Sequence, residues 1–302
     1  MNEPTATHGG RVNVLTTPDV IDTIAGLRAT LAEAGERDSG GRPRLVLVPT
    51  MGALHAGHLA LVRRARELGD IVVVSIFVNP LQFGAGEDLS TYPRTLGEDV
   101  AALATVGVDV VFAPTRQVMY PHGPGSTRVT AGNVGTLYEG AARPGHFDGM
   151  LTVVCKLINI VGPDVVVFGQ KDAQQVFLVE AMLADLDFRP VIEVVPIVRE
   201  EGGLALSSRN RNLVEEQRAA ARALSAGLAA AASVAGRGAA AAEEAARALI
   251  DAQPLVKLDY LVVVDPQTFL PVAADHHGPA RMLVAALVGS TRLIDNAALD
   301  LN

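Results

Sequence analysis

The chain reads as an α/β protein, a doubly wound parallel sheet followed by a smaller α+β domain. Three observations predict this. Apolar runs rich in β-branched residues, at 45–48, 71–78, 108–112, 164–168 and 190–195, alternate with stretches of helical periodicity, the pattern of a parallel sheet covered on both faces. Four glycine-containing or polar loops leave the ends of such runs. After Val198 the texture changes to alanine-rich helical segments and then three strand-like runs. The expected boundary puts residues 1–198 in the first domain and 199–302 in the second.

Taken in order, residues 1–10 lack a basic-then-apolar pattern and are expected to be a frayed tail rather than a targeting segment. Residues 12–15 suggest a short edge strand. Thr17 then reads as an N-cap and Pro18 as the first position of a helix reaching about residue 34. A charged, glycine-rich loop covers 35–43. The strand at 45–48 is broken by Pro49 and Gly52, an amphipathic helix runs from about Gly57 to Leu68, and 71–78 completes a βαβ unit. Thr95-Leu96-Gly97-Glu98 has the spacing of a capping box opening a helix to about residue 106. Residues 114–145 show no long period, apart from a short strand expected at 127–130. An irregular stretch of roughly 30 residues is usually functional or an interaction element. Helices at 152–161 and 172–184 finish the first domain. Helices at 215–235 and 239–252, and strands at 258–264, 281–288 and 291–297 with Gly289-Ser290 as a hairpin turn, make the second.

Composition narrows the function. With 302 residues, 49% of them apolar, the chain can bury a sizeable core. Its 25 Lys and Arg against 33 Asp and Glu give a net charge of −8, which argues against a nucleic-acid-binding surface and leaves small anions to local basic sites. Cys155 is the single cysteine, so an intrachain disulfide is excluded; within an apolar helical pattern it reads as a core thiol in a reducing cytoplasm. No apolar run approaches the roughly 18 residues of a membrane span, and no membrane contact is expected.

The chemistry gathers in the four loops. In Pro49-Thr50-Met51-Gly52-Ala53-Leu54-His55-Ala56-Gly57-His58, two histidines sit where a strand end meets a helix start. Unpaired N–H groups and the helix dipole favour phosphate there, Gly57 permits close approach, and His55 and His58 offer charge-assisted donors. Asn79-Pro80-Leu81-Gln82-Phe83-Gly84 leaves the next strand. Phe168-Gly169-Gln170-Lys171-Asp172 brings a point charge suited to phosphate, followed by Gln174 and Gln175, and Leu206-Ser207-Ser208-Arg209-Asn210 clusters hydroxyls with a guanidinium. Parallel strands would set these loops along one crevice. No Walker A loop and no GxGxxG is present, so a nucleotide would be held by histidines, lysine and helix termini. Each motif alone is also an ordinary capped turn, solvated helix start or polar loop. A zinc site on His55 and His58 is disfavoured, because the glutamate of His-Glu-x-x-His and any cysteine pair are missing.

In combination, these segments, with Ser75-Ile76-Phe77-Val78 leading into Asn79, Tyr92-Pro93-Arg94-Thr95 and Arg143-Pro144-x-His146-Phe147-x-Gly149, resemble the pantothenate synthetase (pantoate–β-alanine ligase) family, in family order from Pro49 to Asn210. The resemblance implies a Rossmann-like, HIGH-motif nucleotidyltransferase domain with a C-terminal lid, and a homodimer. It implies that pantoate attacks the α-phosphate of ATP to give pantoyl adenylate and pyrophosphate, after which β-alanine yields pantothenate and AMP. His55 and His58 would hold the phosphates, with Lys171, Ser207, Ser208 and Arg209 stabilising the leaving charge. Gly169, Asp172 and Val198 would line the adenosine. Met51, Gln82 and Gln175 would hold pantoate, with Asn79, Tyr92 and His146 as further pocket positions. Mg2+ would bridge the phosphates, with Asp99 of the Glu98-Asp99 pair as its ligand or water shell. Leu206 stands where the family commonly has methionine, an apolar exchange of similar volume that nucleotide packing should survive. The segment around 123–138 departs from the family's motifs. Rival readings are a nucleotidylyltransferase making a dinucleotide, a class I aminoacyl-tRNA synthetase relative, and a nucleotide sensor without turnover.

Overall fold

In the computed structural model, which describes residues 17–36, 42–84, 87, 89–123, 125 and 127–302, six strands form one parallel sheet. They are β1 (Asp19–Ile21), β2 (Leu45–Thr50), β3 (Ile71–Ile76), β4 (Val110–Phe112), β5 (Val165–Gly169) and β6 (Val191–Val195), in the spatial order β1-β4-β3-β2-β5-β6. From β2 the chain builds outward through β3 and β4, then returns to add β5 and β6 on the other side. β2 and β5 are therefore neighbours, paired at Val46 with Val165 and Leu47 with Val166, whose following loops part in opposite directions. Such a switch point opens a crevice beyond the carboxyl ends of the strands.

Strand alternation decides the layers. Val46, Val48, Val72 and Val74 point to one face, where they pack with Val62 and Ala65 of α2 (Ala56–Leu68) and Leu103 of α3 (Leu96–Ala104). Leu45, Leu47 and Val73 point to the other. There they meet Leu27 of α1 (Ile24–Glu36), Met150, Leu151 and Leu157 of α6 (His146–Val161), and Val176 and Val179 of α7 (Ala173–Asp185). Between β4 and α6 lie the short helices α4 (Arg116–Met119) and α5 (Glu139–Ala142).

A second sheet is antiparallel, β7 (Val256–Val264), β8 (Gly278–Val288) and β9 (Thr291–Leu301) in that order. Helices α8 (Glu215–Val234) and α9 (Ala239–Asp251) pack their alanine and leucine faces on it. The helical stretch Glu215–Arg237 is, by length and composition alone, apolar enough to cross a membrane, contrary to the sequence expectation. Ala220, Ala221, Leu224, Leu228 and Ala231 on it are buried in the core of this second sheet, which accounts for its apolarity. The two sheets meet through Ala173, Val264, Phe269 and Leu283, with the Phe177 and Phe269 rings stacked at 5.0 Å.

Several local expectations are corrected. The tail, the strand at 12–15 and residues 37–41 of the first loop lie outside the described residues. Thr17 and Pro18 do not start a helix: β-branched Val20 and Ile21 pair with Val111 and Phe112 as β1, and Thr23 instead accepts a bond from Gly26 N at 3.2 Å at the helix start. Thr95 makes no side-chain cap; its hydroxyl donates to Asp99 Oδ2 at 3.2 Å. Residues 127–130 form no strand, and Val129 N donates to Thr152 Oγ1 of α6 instead. Helix α6 begins six residues earlier than expected, at His146. Cys155 is half-buried rather than fully packed.

One close packing sets the site's floor. Gly149 of α6 lies directly under the Pro80–Gln82 turn, so that a Cβ on it would stand 2.0 Å from Leu81 O. Gly149→Ala should therefore destabilise the protein by roughly 1–3 kcal/mol, the usual cost of overpacking against backbone, and weaken whatever Gln82 binds. Denaturant unfolding checks this; a variant within about 0.5 kcal/mol of the parent, the range of neutral substitutions, would contradict it.

Candidate active site

Beyond β2 the chain turns through Gly52 and Ala53, both with positive φ (81° and 52°). A non-glycine residue holds such a conformation only when its surroundings over-determine it. Here Asp99 does so, accepting from Ala53 N at 3.1 Å and Leu54 N at 2.8 Å. Asp99 is 3% exposed and, with Thr95 as a third donor, has both oxygens engaged behind the loop. It lines neither of the two cavities described below.

The loop delivers the histidines to the start of α2, where they cap it reciprocally. His55 Nδ1 accepts from Gly57 N at 3.1 Å, and His58 Nδ1 accepts from His55 N at 3.3 Å. Their rings lie 4.1 Å apart. A Cβ on Gly57 would stand 2.8 Å from the His55 ring, so this glycine makes room for the cap. Because both Nδ1 atoms accept, each neutral ring carries its proton on Nε2, which has no acceptor among the described residues. Burial first, then Lys171 and Arg211, lower His55 to about 4 in spite of Asp172. Burial, then His55 and Lys171, lower His58 to about 3. Both rings are thus neutral N–H donors at neutral pH.

A cavity of about 250 Å³ lies between these loops. It is lined by Met51, His55, Gly57, His58, Gln82, Tyr92, His146, Gly169, Lys171, Asp172, Gln175, Val198, Leu206, Ser207, Ser208 and Arg209. Every sequence-derived site residue except Asn79 and Asp99 is on that wall. Asn79 is 1% exposed and sits one layer behind, bonded to Gln82. Lys171 forms no ion pair among the described residues. Ser207 Oγ accepts from Arg209 N at 3.3 Å, capping the turn Ser208–Asn212.

A second cavity of about 460 Å³ adjoins the first and shares Arg143, His146, Lys171, Asp172, Gln175, Ser207 and Arg209 with it. At their junction His146 Nδ1 donates to Gln82 O at 2.8 Å, and its Nε2 accepts from Arg143 Nη1 at 3.2 Å. Burial, then Arg143, lower His146 to about 4. Arg143 also pairs with Glu87 and reaches Gln82 O. Sequence reasoning places Arg143 in its motif without a role, and passes over Glu87 as a loop acid.

Other supports escape a sequence reading because their partners are remote. Asn210, 3% exposed, donates to Glu200 Oε1 at 2.7 Å and Ala205 O at 3.0 Å, while Arg218 of α8 bonds both Glu200 and Asn210 O. From β9, Asn296 Nδ2 donates to Gln170 O at 2.9 Å and Lys171 O at 3.0 Å. Asp295 beside it holds Arg199 through two bonds, at 2.7 and 3.0 Å. Arg292 joins Glu139 of α5 to Asp259 of β7.

Known proteins resemble this chain over nearly its whole length. The family model described as pantoate-beta-alanine ligase matches residues 19–298. A pantothenate synthetase of Leifsonia xyli subsp. xyli is 60% identical over 280 residues, covering 93% of this chain and 97% of its own. The crystal structure of pantothenate synthetase from Thermus thermophilus superposes with a TM-score of 0.85 at 47% identity, covering 92% of this chain and 98% of that one. A pantoate-beta-alanine ligase from Francisella tularensis, complexed with beta-gamma ATP and beta-alanine, gives a TM-score of 0.75 at 33% identity, covering 93% and 97%. With the fold, the loops and the relatives in agreement, the chain belongs to the pantoate–beta-alanine ligase family.

Proposed function

We infer that this chain condenses pantoate with β-alanine at the expense of ATP. A carboxylate oxygen of pantoate attacks the α-phosphorus, the α–β bridging P–O bond breaks, and pyrophosphate leaves. The β-alanine amine, having lost a proton, then attacks the acyl carbon, and AMP leaves with the carboxyl oxygen it received. One observation carries this reading: two neutral Nε2–H donors and a lysine with no ion pair among the described residues share a single cavity with Met51, Gln82 and Gln175 at the β2–β5 switch point. Donors already in place where charge develops need no reorganisation during reaction. No protein nucleophile is required, so catalysis rests on placement and electrostatics. His55, His58, Lys171, Ser207, Ser208 and Arg209 take the phosphates, Gly57, Gly169, Asp172, Val198 and Leu206 the nucleotide body, and Met51, Gln82, Gln175, Tyr92 and His146 the pantoate. Residues from 199 onward act as a lid, tied to Lys171 by Asn296.

Mg2+ enters this reading with ATP as the substrate complex. Asp99 does not fit it as a ligand, since backbone amides hold its carboxylate, and no cluster of three or more His, Cys, Asp or Glu side chains suited to a metal occurs among the described residues. A homodimer in the cytoplasm is proposed from the family resemblance and the lone cysteine; light scattering on the purified chain tests the dimer.

Pyrophosphate exchange into ATP, with pantoate present and β-alanine omitted, tests the reaction. Exchange that depends on pantoate is expected, and exchange with other acceptors or none would sink it. Lys171→Ala should slow adenylate formation by about 100-fold or more while changing pantoate affinity far less; equal losses would mean that it serves ground-state binding instead.

The histidines make a separate pH prediction. Folded-state values near 4 and 3 lie below the ordinary 6.5, so between those limits the unfolded chain binds more protons than the native one. Stability then falls as pH drops below about 6.5. Histidine NMR of the free enzyme should show Nε2–H tautomers with no midpoint near 6.5 for either ring; a midpoint there would contradict the burial argument. Asp99→Asn separates loop anchor from metal ligand: the variant should lose stability while its Mg2+ dependence stays within two-fold, and a tenfold weaker Mg2+ response would restore the metal role.

A further inference from the structure

The strongest polar chain outside the cavity wall runs behind Gln82, and fixed backbone groups determine its polarity. Asn79 Nδ2 lies 3.0 Å from Gly149 O, which can only accept, and Asn79 Oδ1 lies 3.3 Å from Leu81 N, which can only donate. The amide of Asn79 therefore has one possible orientation. Its Oδ1 receives the Tyr120 hydroxyl at 2.8 Å, and its Nδ2 donates to Gln82 Oε1 at 3.1 Å. With Oε1 occupied, Gln82 turns its NH2 toward the cavity, where Nε2 lies 3.1 Å from Met51 Sδ. Thioether sulfur is a weak acceptor, so that NH2 still has donor capacity for a ligand. Tyr120, Asn79 and Gln82 are 7%, 1% and 7% exposed, so water does not compete freely for these bonds.

We propose that Tyr120 is a positioning residue which, through Asn79, holds the Gln82 amide with its NH2 facing the acid substrate, so that this wall of the pocket selects an oxygen acceptor. The inference rests on the reading of the cavity as the pantoate site. Tyr120 does not line the cavity and reaches it only through its neighbours. Its hydroxyl must be the donor, because Asn79 Oδ1 cannot be. Burial raises Tyr120 to about 12, which keeps that proton in place at working pH.

Tyr120→Phe removes one hydroxyl and leaves the ring that packs against Phe77. Loss of one hydrogen bond that orders Gln82 should raise the pantoate KM five- to tenfold, the effect of about 1 kcal/mol. The ATP KM and kcat should stay within two-fold. Asn79→Asp offers Gln82 only acceptors, so Gln82 should rotate its NH2 away from the cavity and the pantoate KM should rise further than in Tyr120→Phe. Side-chain amide NMR gives a direct reading: pantoate should shift the Gln82 Nε2 protons in the parent protein and shift them less in either variant. An unchanged pantoate KM in Tyr120→Phe, or ATP and pantoate KM values that rise together, would overturn the relay while parental pantoate-dependent exchange upholds the functional reading. A parent protein with no such exchange would overturn both.

Discussion

The side-by-side pairing of β2 and β5 is the constraint on which the rest of the molecule depends. Both strands are buried and run parallel, so their carboxyl ends stop at the same edge. The chain leaves β2 into the histidine loop and β5 into the lysine loop. This adjacency puts His58 and Lys171 on one cavity wall, and after burial and His55 the lysine contributes to the lowered pKa of His58. The apolar runs that form the strands are thus also what focuses positive potential at the crevice, since a low-dielectric wall strengthens each charge beside it.

Charge in this site is managed by restraint. Burial first, and the nearby cations after it, keep the two histidines neutral, so they do not add to the positive charge of lysine and arginine at one cavity edge. What remains is a graded set of donors, neutral at the helix start and cationic at the far loops.

Much of this is legible in the sequence, and the failures share a cause. Glycine and proline punctuating β-branched runs mark the loops, because turns and parallel strands need those residue types locally. The succession of strands from β2 to β6 and the residues of the cavity wall follow from that punctuation together with the family motifs. What the sequence leaves hidden are the contacts whose partners are far along the chain. Asp99 sits in the first turn of α3, where an acid already has a local purpose in complementing the helix dipole; nothing nearby reveals that it holds Leu54, 45 positions earlier. Glu87 meets Arg143 across 56 positions. Asn79 takes the Tyr120 hydroxyl from 41 positions away. Thr17 and Pro18 carry a good helix-start signal, which loses to pairing with β4 at the sheet edge.

Asn296 holds the backbone of Lys171 from a strand near the end of the chain. Arg281 in turn holds Asn296, and the same strand fastens Arg199 through Asp295. The second sheet is therefore part of the foundation of the first sheet's lysine, and the two do not age separately. The position of one cavity-wall residue thus depends on a side chain 125 places further along the chain, and the wall is built by both sheets together.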